Sequence, residues 1–297
     1  GGVGAMATWL WLPLALGAAL FVALADLTVK RFFADLSPYT MCLVRWLFPL
    51  PFLAVVGLIL EWPRLDSTFW LAGAAALPLE LLAAFLYMQV LKICHLSLCI
   101  PLLVFTPVFL ILTGWLVLGE ALNRAGLVGL ALVAGGSYFL GLGSARFAWW
   151  EPLAALARER GARLMLAVAA LYSLTSALGK LAILHSEPAF FGVFYPAVVG
   201  GSMLAAYPFS RVREGGILAS RWLLGLLVGV AVTGEILCHV FGMSLAPAAY
   251  LIGVKRLSIL FSVILGGLLL QERPFLPRLV AAVLMVTGVA LIAFRGS

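Results

Sequence analysis

Residues 69–90 read FWLAGAAALPLELLAAFLYMQV, an apolar run of 22 residues with a single ionisable side chain, Glu80, eleven residues in. About 20 apolar residues in helical conformation cross a bilayer. An ionised carboxylate near the midplane costs several kcal/mol unless it is paired, hydrated or protonated. Residues 222–243, WLLGLLVGVAVTGEILCHVFGM, repeat the pattern with Glu235 inside, and His239 follows four residues later on the same helix face. Two long apolar runs that each keep a buried carboxylate point to a membrane protein with a polar centre.

The rest of the chain agrees. Hydrophobic residues make up 64% and charged residues 10% of the 297, with a mean hydropathy of +1.16. A soluble domain carries roughly 25% charged residues, so lipid is the solvent here. The net charge of +7 comes from arginines at the ends of apolar runs, as in loops of membrane proteins, and implies no nucleic acid. Cys42, Cys94, Cys99 and Cys238 lie in or beside apolar runs without paired spacing, and read as inert thiols with neither disulfide nor metal. Gly1 to Ala5 read as a scar ahead of Met6, and the first apolar run as a retained helix.

Breaks at Pro, Gly and charge clusters predict ten spans: 8–29, 39–60, 69–90, 97–118, 126–143, 164–184, 189–209, 222–243, 250–270 and 277–294. The segment 144–163 is longer, is rich in arginine, has room for a short surface helix over Pro152 to Arg160, and divides the chain into 7–143 and 164–296. Matches recur in order across the divide: Lys30 with Lys180, Ser37-Pro38 with Glu187-Pro188, Glu80 with Glu235, and Leu118-Gly119-Glu120 with Leu270-Gln271-Glu272. Five spans per half is odd, so the second half enters the membrane upside down. The expected fold is all-α and integral to the membrane, with ten transmembrane helices as two inverted five-helix repeats around a central cavity. Inverted repeats around a midplane site are a recurring transporter architecture.

The pattern Pro107-Val108-Phe109, then Leu116-Val117-Leu118-Gly119-Glu120, and the run from Lys255-Arg256 to Gly266 resemble the fourth and ninth spans of EamA-type transporters of the drug/metabolite transporter superfamily. The resemblance covers nearly the whole chain. It implies a ten-helix carrier with a central cavity, often an exporter of amino acids or other metabolites; some relatives handle nucleotide sugars, sugar phosphates or lipid-linked sugars. Glu80 and Glu235 are not general features of that family and mark a subgroup. The resemblance also implies cytoplasmic termini. Loop Lys and Arg number eleven after odd-numbered spans against three on the other side. The positive-inside rule therefore puts both termini outside, and that count is the orientation adopted, in a multi-pass protein of the cytoplasmic (inner) membrane.

Glu80, Glu235, His239, Arg45 and Lys255 are the candidates for substrate binding and proton coupling. A Glu-His pair inside the membrane can pass a proton, and Arg45 and Lys255 lie deep enough to balance the glutamates or hold an anionic group. Asp26, Lys30, Lys180, Tyr87, Tyr172, Tyr195 and Tyr250 are candidate cavity or gate residues. For Lys30 and Lys180 the alternative is snorkelling to the headgroups, and for the tyrosines it is packing. Glu120 and Glu272 end their helices and read as structural. Gly135-Gly136, Gly200-Gly201 and Gly266-Gly267 read as points of close helix approach.

No HExxH, aspartate-rich or G-x-S-x-G motif occurs, and there are three aspartates in all, which argues against an intramembrane enzyme. No cofactor or metal is expected. A structural protein has no use for two repeat-matched carboxylates at the midplane. The expected function is a secondary transporter of a small polar or zwitterionic, amino-acid-like metabolite, proton-coupled and working by alternating access. A flippase for a polar lipid or lipid-linked sugar is the alternative. The partners expected are a small-molecule or lipid substrate and membrane lipids, with a monomer or homodimer as the assembly.

Overall fold

The computed structural model describes residues 9–93, 99–141, 150–270 and 276–295, and all of its regular structure is helical. The first half contains α1 (Trp11–Phe33), α2 (Pro38–Leu47), α3 (Leu50–Gly57), α4 (Ser67–Ile93), a 3-10 turn (Ile100–Val104), α5 (Phe105–Leu118) and α6 (Arg124–Gly141). A short helix, α7 (Glu151–Arg158), lies in the connecting segment. The second half contains α8 (Arg160–Leu184), α9 (Pro188–Ala206), α10 (Gly215–Ser220), α11 (Trp222–Leu245), α12 (Ala248–Lys255), α13 (Ser258–Leu270) and α14 (Leu276–Arg295).

Among the described residues, six helical segments are long and apolar enough to cross a membrane: Trp11–Phe33, Pro38–Gly57, Ser67–Val90, Arg160–Leu184, Pro188–Phe209 and Trp222–Leu245. Leu102–Leu118, Arg124–Leu140 and Val280–Arg295 are shorter apolar helices. Two predicted spans are broken. Pro49 and Pro51 interrupt the second between α2 and α3, because proline removes a backbone donor and clashes with the preceding turn. The predicted span 250–270 breaks at Arg256-Leu257, between α12 and α13. Large apolar side chains such as Leu71, Leu223 and Val283 are exposed along the outside, and Trp9, Trp62, Trp70 and Trp222 stand exposed near helix ends. That is the surface of a protein facing lipid, with an aromatic belt at its rims.

The packing pattern has a symmetry. α1 lies along α11 as α4 lies along α8; α5 lies against α8 as α12 and α13 lie against α1. α6 packs on α14, and α2 and α3 pack on α9. Exchanging the first five predicted spans for the last five maps this list onto itself. The α6–α14 contact is close because two glycines face each other there. A Cβ on Gly288 would stand 2.5 Å from the Gly129 carbonyl oxygen, and one on Gly129 would stand 2.7 Å from the Gly288 oxygen. In the Gly135-Gly136 pair the roles divide. A Cβ on Gly136 would meet the Ala281 carbonyl at 2.7 Å, whereas Gly135 faces open space. Gly200 likewise abuts the Trp46 carbonyl while Gly201 is open.

Cys99 is held in a disulfide, which corrects the reading of four inert thiols; Cys42 and Cys238 are free. Place in an apolar run does not decide a cysteine's redox state. Cys94 and Glu272 lie outside the described residues.

Because backbone blocks the α6–α14 contact, Gly288→Val should destabilise the folded protein by about 1–3 kcal/mol, and Gly135→Ala should stay within about 0.5 kcal/mol of wild type. Thermal unfolding of both variants in the same detergent checks this; equal midpoints would contradict the close approach.

Candidate functional site

A cavity of about 1030 Å³ lies between the halves, lined from α1, α2, α4, α5, α8, α9, α11, α12 and α13. It reaches the exposed residues Lys30 and Ala34, where α1 ends. Its polar wall holds Asp26, Arg45, Glu80, Thr175, Glu235, His239, Lys255 and Arg256, with Tyr87, Tyr172 and Tyr195 among them.

Four of these side chains form one chain of alternating charge. Arg45 on α2 donates through Nη1 to Asp26 on α1 and through Nη2 to Glu235 on α11 at 2.9 Å. Lys255, the last residue of α12, stands 2.7 Å from the other oxygen of Glu235. The sequence thus places α1 and α2 of the first half and α11 and α12 of the second on a single ionic chain. His239 is on the expected helix face, but its Nδ1 lies 3.5 Å from Lys255 Nζ. Lysine, and not a direct Glu-His hydrogen bond, links the two.

Glu80 stands apart from this chain. It has no ion pair among the described residues, and the Thr175 hydroxyl on α8 is its neighbour. Pro78 lies two residues before it in the same helix. Glu80 and Glu235 line one cavity, as inverted repeats require, without touching. Tyr87 and Tyr172 meet edge to face at 6.3 Å. Tyr195 stacks on Phe191 at 4.9 Å, and its buried hydroxyl has no hydrogen-bond partner among the described residues.

Arg256 is the residue that the sequence reading passed over. It lines the cavity at the α12–α13 break, and its buried Nε has no hydrogen-bond partner among the described residues. The helix break that presents it was the available sign, hidden by continuous hydropathy on both sides.

Lys180 and Tyr250 are placed elsewhere. Lys180 is buried and does not snorkel; its ammonium donates to Glu120 and to the Ala246 carbonyl. Glu120 also accepts from the Ala248 amide at 2.9 Å, at the start of α12. Gly119 positions it, ending α5 in the left-handed conformation with φ 68°, which glycine adopts without strain. The Glu120-Lys180 pair therefore ties together the ends of α5, α8, α11 and α12. Tyr250 packs into the space left by Gly126 on α6.

Outer contacts between the halves lie at both ends. At the end where α1 stops, Arg221 donates to both oxygens of Asp35, and Glu214 accepts from the Ser37 amide and hydroxyl. At the other end Asp66 meets His185 at 2.6 Å. The Phe69 amide and then His185 hold the exposed Asp66 carboxyl below its ordinary value. Among the described residues no cluster of His, Cys, Asp and Glu is spaced to hold a metal.

The EamA-like transporter family model matches the sequence twice, over residues 9–142 and 159–294. The chain belongs to the EamA-like transporter family. It is therefore a multi-pass membrane transporter of the drug/metabolite transporter superfamily. Its fold is similar to that of a protein known from a crystal structure, with a TM-score of 0.73 at 18% identity, over 96% of this chain and 98% of that one. No curated protein sequence matches the chain.

Removing one member of a buried ion pair strands the other. Glu120→Gln and Lys180→Met should each lower stability by roughly 3–5 kcal/mol, and the double variant should lose less than the two together. Thermal unfolding of the three proteins provides the cycle; single losses below about 1 kcal/mol, the surface ion-pair range, would contradict a buried latch.

Proposed function

We propose that this chain is a secondary transporter that moves a small polar or zwitterionic, amino-acid-like metabolite across the cytoplasmic membrane, coupled to protons. The observation that carries the reading is the cavity wall. It holds carboxylates and cations together, in a volume suited to a small ligand. The Asp26-Arg45-Glu235-Lys255 chain neutralises itself, so an incoming molecule meets a nearly balanced field and not a strongly charged one. Glu80, with a hydroxyl beside it and no direct ion pair among the described residues, is where a proton or a substrate ammonium changes the local energy most.

The mechanism is alternating access between two inverted halves of five spans each, 7–143 and 164–296. Packing that maps onto itself when the halves are exchanged supports it, because such a protein has a second arrangement of comparable energy with its two ends interchanged. The Glu120-Lys180 contact closes one end, while the cavity reaches Lys30 and Ala34 at the other. Glu235 holds the cavity wall together through two cations, and Glu80 carries the proton. Arg45 and Lys255 set the position of Glu235, and His239 adjusts Lys255. In this reading the positive-inside count places both termini outside.

Proteoliposomes loaded at one pH and diluted into another, in the presence of labelled amino acids, test this. Wild type should accumulate substrate only with the pH gradient. Glu80→Gln and Glu235→Gln should each abolish accumulation while the proteins remain folded. Wild-type accumulation in both variants would contradict the coupling role.

A further inference from the structure

Arg256 is the cation that the ion-pair chain leaves over. The next residue in sequence, Leu257, begins the step from α12 into α13, and Arg256 projects into the cavity from that break. Among the described residues it makes no hydrogen bond or ion pair, and its Nε is buried. The Tyr87 and Tyr172 phenols and the carboxylates of Asp26 and Glu235 line the same cavity. Both carboxylates are already engaged, by Arg45 and by Lys255. Lys30, the other unengaged cation of the wall, is exposed where α1 ends and is solvated there. A buried guanidinium N–H without an acceptor is unfavourable, and the planar fork of donors fits an oxyanion bidentately.

We propose that Arg256 is the docking point for an oxyanion on the substrate, with the Tyr87 and Tyr172 hydroxyls as flanking donors. The proposal rests on the transporter reading and deepens it. The cargo carries a carboxylate or a similar oxyanion, and its anionic group lies against the α12–α13 break. Glu80, Thr175 and the unpartnered Tyr195 hydroxyl form an acceptor set for an ammonium on the same molecule. The carboxylate of a soluble metabolite and the phosphodiester of a lipid headgroup share the chemistry that Arg256 reads.

The test is ligand-induced thermal stabilisation of the full chain in detergent, paired with uptake into proteoliposomes. The probes are L-α-amino acids, their decarboxylated amines, their deaminated acids, inorganic phosphate and glycerophosphoserine. Oxyanion-bearing probes should stabilise wild type and amines should not match them. Arg256→Gln should weaken their apparent Kd roughly 30-fold or more, and Arg256→Lys should recover part of the loss, since it keeps the charge without the fork. Midpoints without ligand report whether the variants are folded. Binding confined to glycerophosphoserine and lost in Arg256→Gln upholds the subsite and makes the cargo a lipid headgroup. Amino acids that bind through Arg256 but are not transported uphold the subsite and refute the soluble-metabolite carrier. Unchanged oxyanion binding in Arg256→Gln, or no oxyanion binding by wild type, overturns the proposal.

Discussion

The structure turns on one constraint: a charge inside a membrane protein is costly unless it is paired, hydrated or neutralised. Arg45 meets it by reaching Asp26 on one side and Glu235 on the other, and Lys255 meets it on the far oxygen of Glu235. These four residues come from four helices and both halves of the chain. Losing any one leaves an uncompensated charge in a low-dielectric setting, and the protein must then hydrate the cavity or rearrange. The cavity is polar because of this chain, and balanced because the chain alternates in sign.

The two ends of the bundle are held differently. At one end Glu120 gathers Lys180, the Ala248 amide and the ends of four helices around a buried carboxylate. At the other, Lys30, which matches Lys180 across the divide, is exposed along the cavity and makes no ion pair with a described residue. The outer contacts, Asp35 with Arg221 and Asp66 with His185, fall in loops that exchange places when the halves are exchanged. The outer contacts are thus paired at both ends, and the ends differ at Lys30 and Lys180. Contacts between discrete packed elements switch between arrangements; they do not deform smoothly.

Much of this was legible in the sequence. Apolar run length located the six long helical segments, because backbone groups in lipid have to be satisfied within the helix. Depth within a run located Glu80 and Glu235, and the order of matched residues separated the halves. What hydropathy averages could not express was local geometry. The breaks at Pro49 and at Arg256-Leu257 sit inside continuous apolar stretches. Lys180 lies near a span end and so reads as snorkelling, yet its partner Glu120 is 60 residues away and faces it only once α5 packs on α8. His239 reads as the partner of Glu235 by spacing, but Lys255 from another helix takes the site between them. Arg256 was overlooked for the same reason: helix spacing describes one helix, and what an intramembrane charge does is set by the helices around it.

The central claim is that one cavity, lined by the Asp26-Arg45-Glu235-Lys255 chain, is offered in turn to the two faces of the membrane. A cysteine at Ser176, a cavity-lining position on α8, tests it most directly in a background lacking the free Cys42 and Cys238. A membrane-impermeant thiol reagent is applied from one face or the other, in vesicles of each orientation. The account predicts labelling from both faces, with the ratio between them changing when the Glu120-Lys180 contact is broken by Lys180→Met. Labelling from a single face in every condition, unchanged in that variant, would contradict it.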